Sequence, residues 1–185
     1  YLDRTPRFRA ARAKSIAGFL CYPVKERAMR LDEKLIETKI AFIKQNLVFA
    51  ERLSRYSSVE FEQDQRNFYS AVHALQISIE AMLDVFSHIV ARLHLGAPTN
   101  DRETLEIALK HNLISSDHFQ RFFDMNKFRN KVVHGYLDVD AKKVYGMLTS
   151  ELGDFQLFFE DVRRVVEKER AKENNIKPKK INGKK

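Results

Sequence analysis

Nine consecutive residues, Phe128 to Tyr136, concentrate the groups in this chain that could do chemistry: Arg129, Asn130, His134 and Tyr136. Asn130 and His134 are four apart and share one face of a helix. Arg129 lies about 100° round the helix from Asn130, and its long side chain can reach the same side. His134 falls near the end of its predicted helix, where the dipole favours a cation. Gly135 then frees the backbone ahead of Tyr136. A permanent cation with a bidentate fork, an amide, a proton-transfer group and a phenol together suit a phosphate ligand. The same residues would serve equally as plain surface polar groups at a helix end, and spacing does not separate the two readings.

The elements that must position them are all helical. Residues 31–56 carry two apolar stripes at helical spacing. One is Leu31, Leu35, Phe42, Phe49, Leu53 and Tyr56; the other is Ile36, Ile40, Ile43, Leu47 and Ala50. Two adjacent stripes predict a helix packed on two neighbours. Ser57-Ser58-Val59-Glu60 reads as a capping box. From there to about Leu95 nothing in the sequence breaks the helix, which predicts a rod of roughly 50 Å at ~1.5 Å per residue. Gly96-Ala97-Pro98 ends it. A short helix is expected from Thr104 to His111 after Asn100 and Glu103. Another runs from Ser115-Ser116-Asp117 to His134, with Gly135 as its stop. Asp138 or Asp140 then caps a last helix to about Lys172. No strand pattern occurs. The expected fold is all-α, an up-and-down four-helix bundle with one extra short helix.

Composition agrees. Of 185 residues 44% are hydrophobic, which supports a packed core and excludes wholesale disorder. Six Gly and four Pro are too few for a β-sandwich or barrel. The single cysteine, Cys21, excludes a disulfide scaffold and a thiolate metal cluster and suits a reducing cytoplasm, the expected location. No unbroken apolar run reaches the ~20 residues that a bilayer span needs, so no membrane association is expected. The net charge of +8 is unevenly divided. Residues 1–30 hold eight Lys/Arg against Asp3 and Glu26, and residues 168–185 hold eight against Glu169 and Glu173. The intervening part is mildly acidic. Residues 173–185 read as a basic, disordered and solvated tail that could add non-specific attraction to RNA. Residues 1–28 read as a basic extension, with the natural start at Met29 and a helical domain over 29–172.

Arg129-x4-His134-x-Tyr136 resembles the R-x4-H-x-Y motif of HepT-like proteins, a branch of the HEPN superfamily. The resemblance extends over residues 31–167. Asp84 and His88 match that family's D-x3-H segment on its long helix. Leu105 to Ser116 is similar to its short helix and following connection, and Asp138-Val-Asp140 with Val144-Tyr145 to the start of its last helix.

The resemblance implies a dimerising, HEPN-like toxin ribonuclease of a toxin–antitoxin pair, needing no metal or cofactor. Two subunits would face their R-x4-H segments across one cleft and cut RNA. His134 would move the proton of the ribose 2′-OH or of the leaving 5′-oxygen. Arg129 would hold the scissile phosphate, and Asn130 would orient the phosphate or the histidine. A minimal nucleotidyltransferase antitoxin would add AMP to Tyr136. Asp84 and His88, four apart on the long helix, would either orient one another or help shape the cleft near Arg129. One departure is Gly135, where the family often has an acidic residue. The competing implication is a non-catalytic HEPN binding module that docks a partner nucleotidyltransferase. His73, His94, His111 and His118 are expected at the surface or its boundary. Phe122, Phe123, Phe155, Phe158 and Phe159 are expected in the core and a dimer interface.

Overall fold

A computed structural model describes residues 31–135 and 139–176. Met29, Cys21, Tyr136 and Asp138 lie outside them, as do residues 1–30 and 177–185, so the expectations for these positions are untouched. The described residues are helical, with no strand among them.

Helix α1 (Glu33–Leu53) starts where the Asp32 carboxylate accepts the Leu35 N–H at 3.0 Å. Its buried residues are Ile36, Ile43, Ala50 and Leu53. Of the two predicted stripes, the isoleucine stripe faces the core. From the other only Leu53 is buried, and Leu35, Phe42, Phe49 and Tyr56 are exposed. The helices beside α1 pack on its isoleucine side, and nothing among the described residues covers the exposed stripe.

The predicted rod from residue 57 to Leu95 is in fact two helices, α2 (Ser58–Gln63) and α3 (Gln65–Arg92). The Ser57/Glu60 capping box forms as expected and starts α2. The break falls at Asp64, whose backbone is extended (φ −99°, ψ 100°). Its carboxylate accepts the Arg66 N–H at 2.9 Å and binds the Arg66 guanidinium through both oxygens. An aspartate that caps a new helix competes with continuing the old one. By length and composition α3 is apolar enough to cross a bilayer, which the absence of long unbroken apolar runs concealed. Yet 61% of its most apolar window is buried inside the bundle, as in the central helix of a globular core.

Helix α4 (Asp101–Lys110) is capped by Asn100, and α5 (Ser116–His134) by Ser115, whose hydroxyl accepts the His118 N–H at 3.2 Å. The last predicted helix is also divided, into α6 (Ala141–Gly146), a π-helical turn (Met147–Glu151) and α7 (Asp154–Ile176). Asp140 caps α6. The hydroxyls of Thr149 and Ser150 bond back to the Gly146 carbonyl at 3.1 and 2.7 Å, competing with the backbone ladder where the helix widens. α7 runs through Ile176, four residues past the expected domain limit at Lys172.

Helices α1, α3, α5 and α7 form the bundle. Glu33–Arg170 and Lys44 over the Phe159 ring join α1 to α7, and Lys39–Asp84 joins α1 to α3. At the centre, Phe86 of α3 meets Phe122 of α5 at 5.6 Å and Phe158 of α7 at 5.4 Å between centroids. α4 lies across α3 and α5. His118 lies at the boundary, as expected, and its Nδ1 meets the buried Asp161 carboxylate at 2.7 Å, which also holds Arg164 and so ties α5 to α7.

Candidate functional site

The candidate site grows from the last two turns of α5. This helix buries Phe122, Met125, Asn126, Phe128 and Val132, which fixes its rotation against α3. Gly135 closes it, its N–H bonding the Lys131 carbonyl at 2.8 Å. With the core face fixed, Arg129 is turned toward α3 and α4, while Asn130 and His134 are turned outward.

Arg129 is four-fifths buried and is held on three sides. Its guanidinium pairs with the Glu80 carboxylate of α3. Its Nη1 reaches Asp101 at 3.4 Å, in the first turn of α4, and donates to the Asn130 Oδ1 at 2.9 Å. The side-chain amide nitrogen of Asn130 has no partner among the described residues. His134 is exposed in the final turn, and its ring also lacks a hydrogen-bond partner among them. Arg129 and His134 are thus five residues apart and about 140° apart round the helix axis at ~100° per residue. On one chain they point in different directions.

Asp84 and His88 are engaged elsewhere. The Asp84 carboxylate pairs with Lys39 of α1 at 2.6 Å. The His88 Nε2 accepts the Asp32 N–H at 3.0 Å, anchoring the approach to α1. Burial, reinforced by the nearby Arg92, lowers the His88 pKa below the usual histidine value of 6.5, against the opposing pull of Asp32. Neither residue bonds the other, nor Arg129, Asn130 or His134. The acidic partner that α3 gives to Arg129 is Glu80, one turn before Asp84. It was not singled out from the sequence, although an acid amid Ile77, Ile79 and Met82 was a visible signal. Asp101 was hidden by its ordinary place in the first turn of a helix, where acids are common.

A cleft of about 510 Å³ lies on another side of α5, against α6 and the π-helical turn, lined by Arg121, Lys127, Lys131 and Lys143 among others, and it includes neither Arg129 nor His134. Among the described residues no group of three His, Cys, Asp or Glu gathers as a set of metal ligands. Chemically the arrangement offers an oriented guanidinium together with an amide donor and an imidazole that have no partner among the described residues.

The chain matches the family described as Ribonuclease HepT-like over residues 43–162. An mRNA nuclease HepT of Shewanella oneidensis is 28% identical over 129 residues, covering 70% of this chain and 96% of that protein. A tRNA nuclease HepT of Aphanizomenon flos-aquae is 21% identical over 136 residues, covering 71% and 90%. Among solved structures, a tri-AMPylated Shewanella oneidensis HEPN toxin in complex with an MNT antitoxin aligns with a TM-score of 0.66 at 27% identity, over 70% of this chain and 97% of that one. A toxin-antitoxin with AMP-PNP aligns with the same TM-score at 26% identity, over 71% and 98%.

Proposed function

The chain belongs to the ribonuclease HepT-like family, and from that premise we propose that it is the endoribonuclease toxin of a toxin–antitoxin pair, cutting RNA in a cleft shared by two copies. The observation that carries the shared cleft is the divergence of Arg129 and His134 on one helix end. A guanidinium turned inward and an imidazole turned outward serve one phosphate best when a second copy faces the first.

In this reading the RNA phosphate takes its place beside Arg129, drawing the guanidinium partly away from Glu80 and Asp101. One imidazole accepts the proton of the ribose 2′-OH as its oxygen attacks the adjacent phosphorus. The other, the His134 of the second copy, gives a proton to the departing 5′-oxygen. The bond to that oxygen breaks, leaving a 2′,3′-cyclic phosphate on one fragment and a 5′-hydroxyl on the other. Arg129 stabilises the charge that builds on the phosphoryl oxygens, and the free Asn130 amide donates to the same group. No step calls for a metal.

Neutralisation by a nucleotidyltransferase antitoxin completes the proposal. The Tyr136 phenol oxygen would attack the α-phosphorus of ATP, forming a phosphodiester and releasing pyrophosphate. AMP two residues from His134 would place bulk and negative charge where RNA must bind. The Shewanella oneidensis toxin that aligns with this chain is tri-AMPylated and in complex with an MNT antitoxin, which supports both the partner and the chemistry.

The pairing of Arg129 with two carboxylates favours one rival, a binding module whose arginine is structural. Incubation of the purified protein with total RNA in EDTA separates them. The nuclease reading expects fragments ending in a 2′,3′-cyclic phosphate, and loss of cutting in His134→Ala and Arg129→Ala. Intact RNA with the wild-type protein establishes the binding module instead.

A further inference from the structure

We propose that the cleft between α5, α6 and the π-helical turn is a second RNA subsite, in which Lys131 and Lys143 take backbone phosphates that flank the cut linkage. The inference rests on the nuclease reading for its substrate and extends it to the strand beyond the reacting phosphate.

At ~100° per residue the groups at the end of α5 follow one another round the helix in the order Arg129, Asn130, His134 and Lys131, at steps of about 100°, 40° and 60°. His134 therefore stands between the Asn130 side and the cleft. Lys131 lies less than one turn before it, ~4.5 Å along the axis. A strand that crosses this helix end past Arg129, Asn130 and His134 next meets the exposed Lys131 and enters the cleft, which Lys143 lines from α6. Its volume of about 510 Å³ lies within the range of ligand pockets, about 300–1,000 Å³. Its apolar wall is the buried Met125, Phe128 and Met147, and pairing between an ammonium group and a phosphate is stronger beside such a low-dielectric wall.

Charge says what the cleft takes. Four cations and four acids line it, so formally it is neutral, but most of them are engaged within the chain. Arg121 pairs with Asp154 at 2.6 Å and Lys127 with Asp124 at 2.8 Å. The Asp140 carboxylate caps α6, accepting the Lys142 N–H at 3.0 Å. Hydrogen bonds from Lys127 and Gln120 hold the Asp124 carboxyl below its usual pKa, and the charge of Lys143 adds to them, so Lys143 is within electrostatic reach of α5. Lys131 and Lys143 themselves make no ion pair or side-chain hydrogen bond among the described residues, and neither does Glu151. Two ammonium groups without a partner thus face one carboxylate without a partner. In a mildly acidic domain, two such lysines beside His134 give a polyanion that lies across the histidine its next contacts.

The experiment measures binding of a single-stranded 2′-O-methyl RNA, which lacks the attacking 2′-OH and stays intact, to the full-length protein over a range of salt, by fluorescence anisotropy. Circular dichroism confirms the fold of each variant, and the basic ends of the chain are unchanged throughout. Lys131→Ala/Lys143→Ala is expected to bind roughly 10-fold more weakly at about 0.1 M salt, with the slope of log affinity against log salt smaller by about 1.4, about 0.7 for each lost phosphate contact. Glu151→Gln, which removes the acid left without a partner, should bind more tightly than wild type. The control, Lys34→Ala/Lys168→Ala, removes the same charge from exposed positions at the end of the bundle marked by the Glu33–Arg170 pair, and should stay within about 2-fold of wild type. A Lys131→Ala/Lys143→Ala protein with wild-type affinity and slope overturns the subsite, whether or not an acidic protein then takes the lysines, and so does a control that loses as much. Cleavage of unmodified RNA by the wild type separates the two readings. A protein that cuts RNA but whose lysine variant binds like wild type keeps the nuclease and loses the subsite. One that leaves RNA intact but shows the expected loss of binding keeps the subsite and overturns the nuclease.

Discussion

Arg129 of α5 and Glu80 of α3 form an ion pair that binds the motif helix to the central helix of the bundle. The pair is the structural reason the guanidinium has a fixed direction. Asp101 and Asn130 complete its surroundings, so Arg129 is held from α3, α4 and its own helix.

Glu80 should therefore act as a positioning residue. Glu80→Ala is expected to lower kcat by about 10- to 100-fold, in line with the cost of a small misplacement of a catalytic group. Glu80→Gln, which keeps an acceptor for the guanidinium, should retain more of the rate than Glu80→Ala. Since the Glu80 side chain is about half exposed, both variants should unfold within about 1 kcal/mol of wild type. Equal rates for the two variants and the wild type would remove Glu80 from the account.

His88 should make stability depend on pH. Burial lowers its pKa in the folded state, so between its folded and unfolded values the unfolded chain binds the extra proton. The stabilising difference is complete above about pH 6.5, the unfolded value, and declines as pH falls below it toward the folded value. Protonation also takes from Nε2 the lone pair that accepts the Asp32 N–H. Thermal unfolding of the wild type between about pH 7.5 and 5.5, on either side of that value, should show a falling Tm, and His88→Gln should flatten that slope. The carboxylates with lowered pKa, Glu60, Asp64, Glu103 and Asp124, titrate in a more acidic window. A His88→Gln slope as steep as wild type would assign the effect elsewhere.

The core prediction concerns Phe122, fully buried against Phe86. Phe122→Ala should cost about 3–5 kcal/mol in urea unfolding, through lost burial and the cavity left behind. A loss below about 1 kcal/mol would mean that α5 is not anchored by this contact.

Asp64 tests the break between α2 and α3. Its carboxylate caps α3, and Asp64→Ala should cost about 0.5–2 kcal/mol, as other N-cap removals do. No change in unfolding midpoint would mean that the break is imposed by packing alone.

The bundle was legible in the sequence because its core residues recur at helical spacing and its caps are conventional. Ser57, Asn100 and Ser115 stand where helices begin. The breaks at Asp64 and at the π-helical turn Met147–Glu151 were not legible. Aspartate is ordinary inside a solvated helix face, and only its bonds to Arg66 reveal the cap. The α1 stripes show a similar limit: periodicity identifies a face as apolar but not whether the same chain covers it. Arg129, Asn130 and His134 were found through their spacing and a family resemblance. Glu80 was missed because its role depends on a residue 49 positions away. Asp84 and His88 share a helix face, as read, but their partners Lys39 and Asp32 come from α1 and its cap.

The most direct test is a mixed dimer. Two affinity tags allow purification of a dimer with one wild-type subunit and one His134→Ala subunit, and its cleavage rate is compared with the wild-type dimer. If two imidazoles flank one RNA linkage, removing either costs the general acid or base, worth about 10²–10⁴-fold, and the mixed dimer is nearly inactive. A mixed dimer with half the wild-type rate would show that each subunit cuts alone, and would contradict the shared cleft.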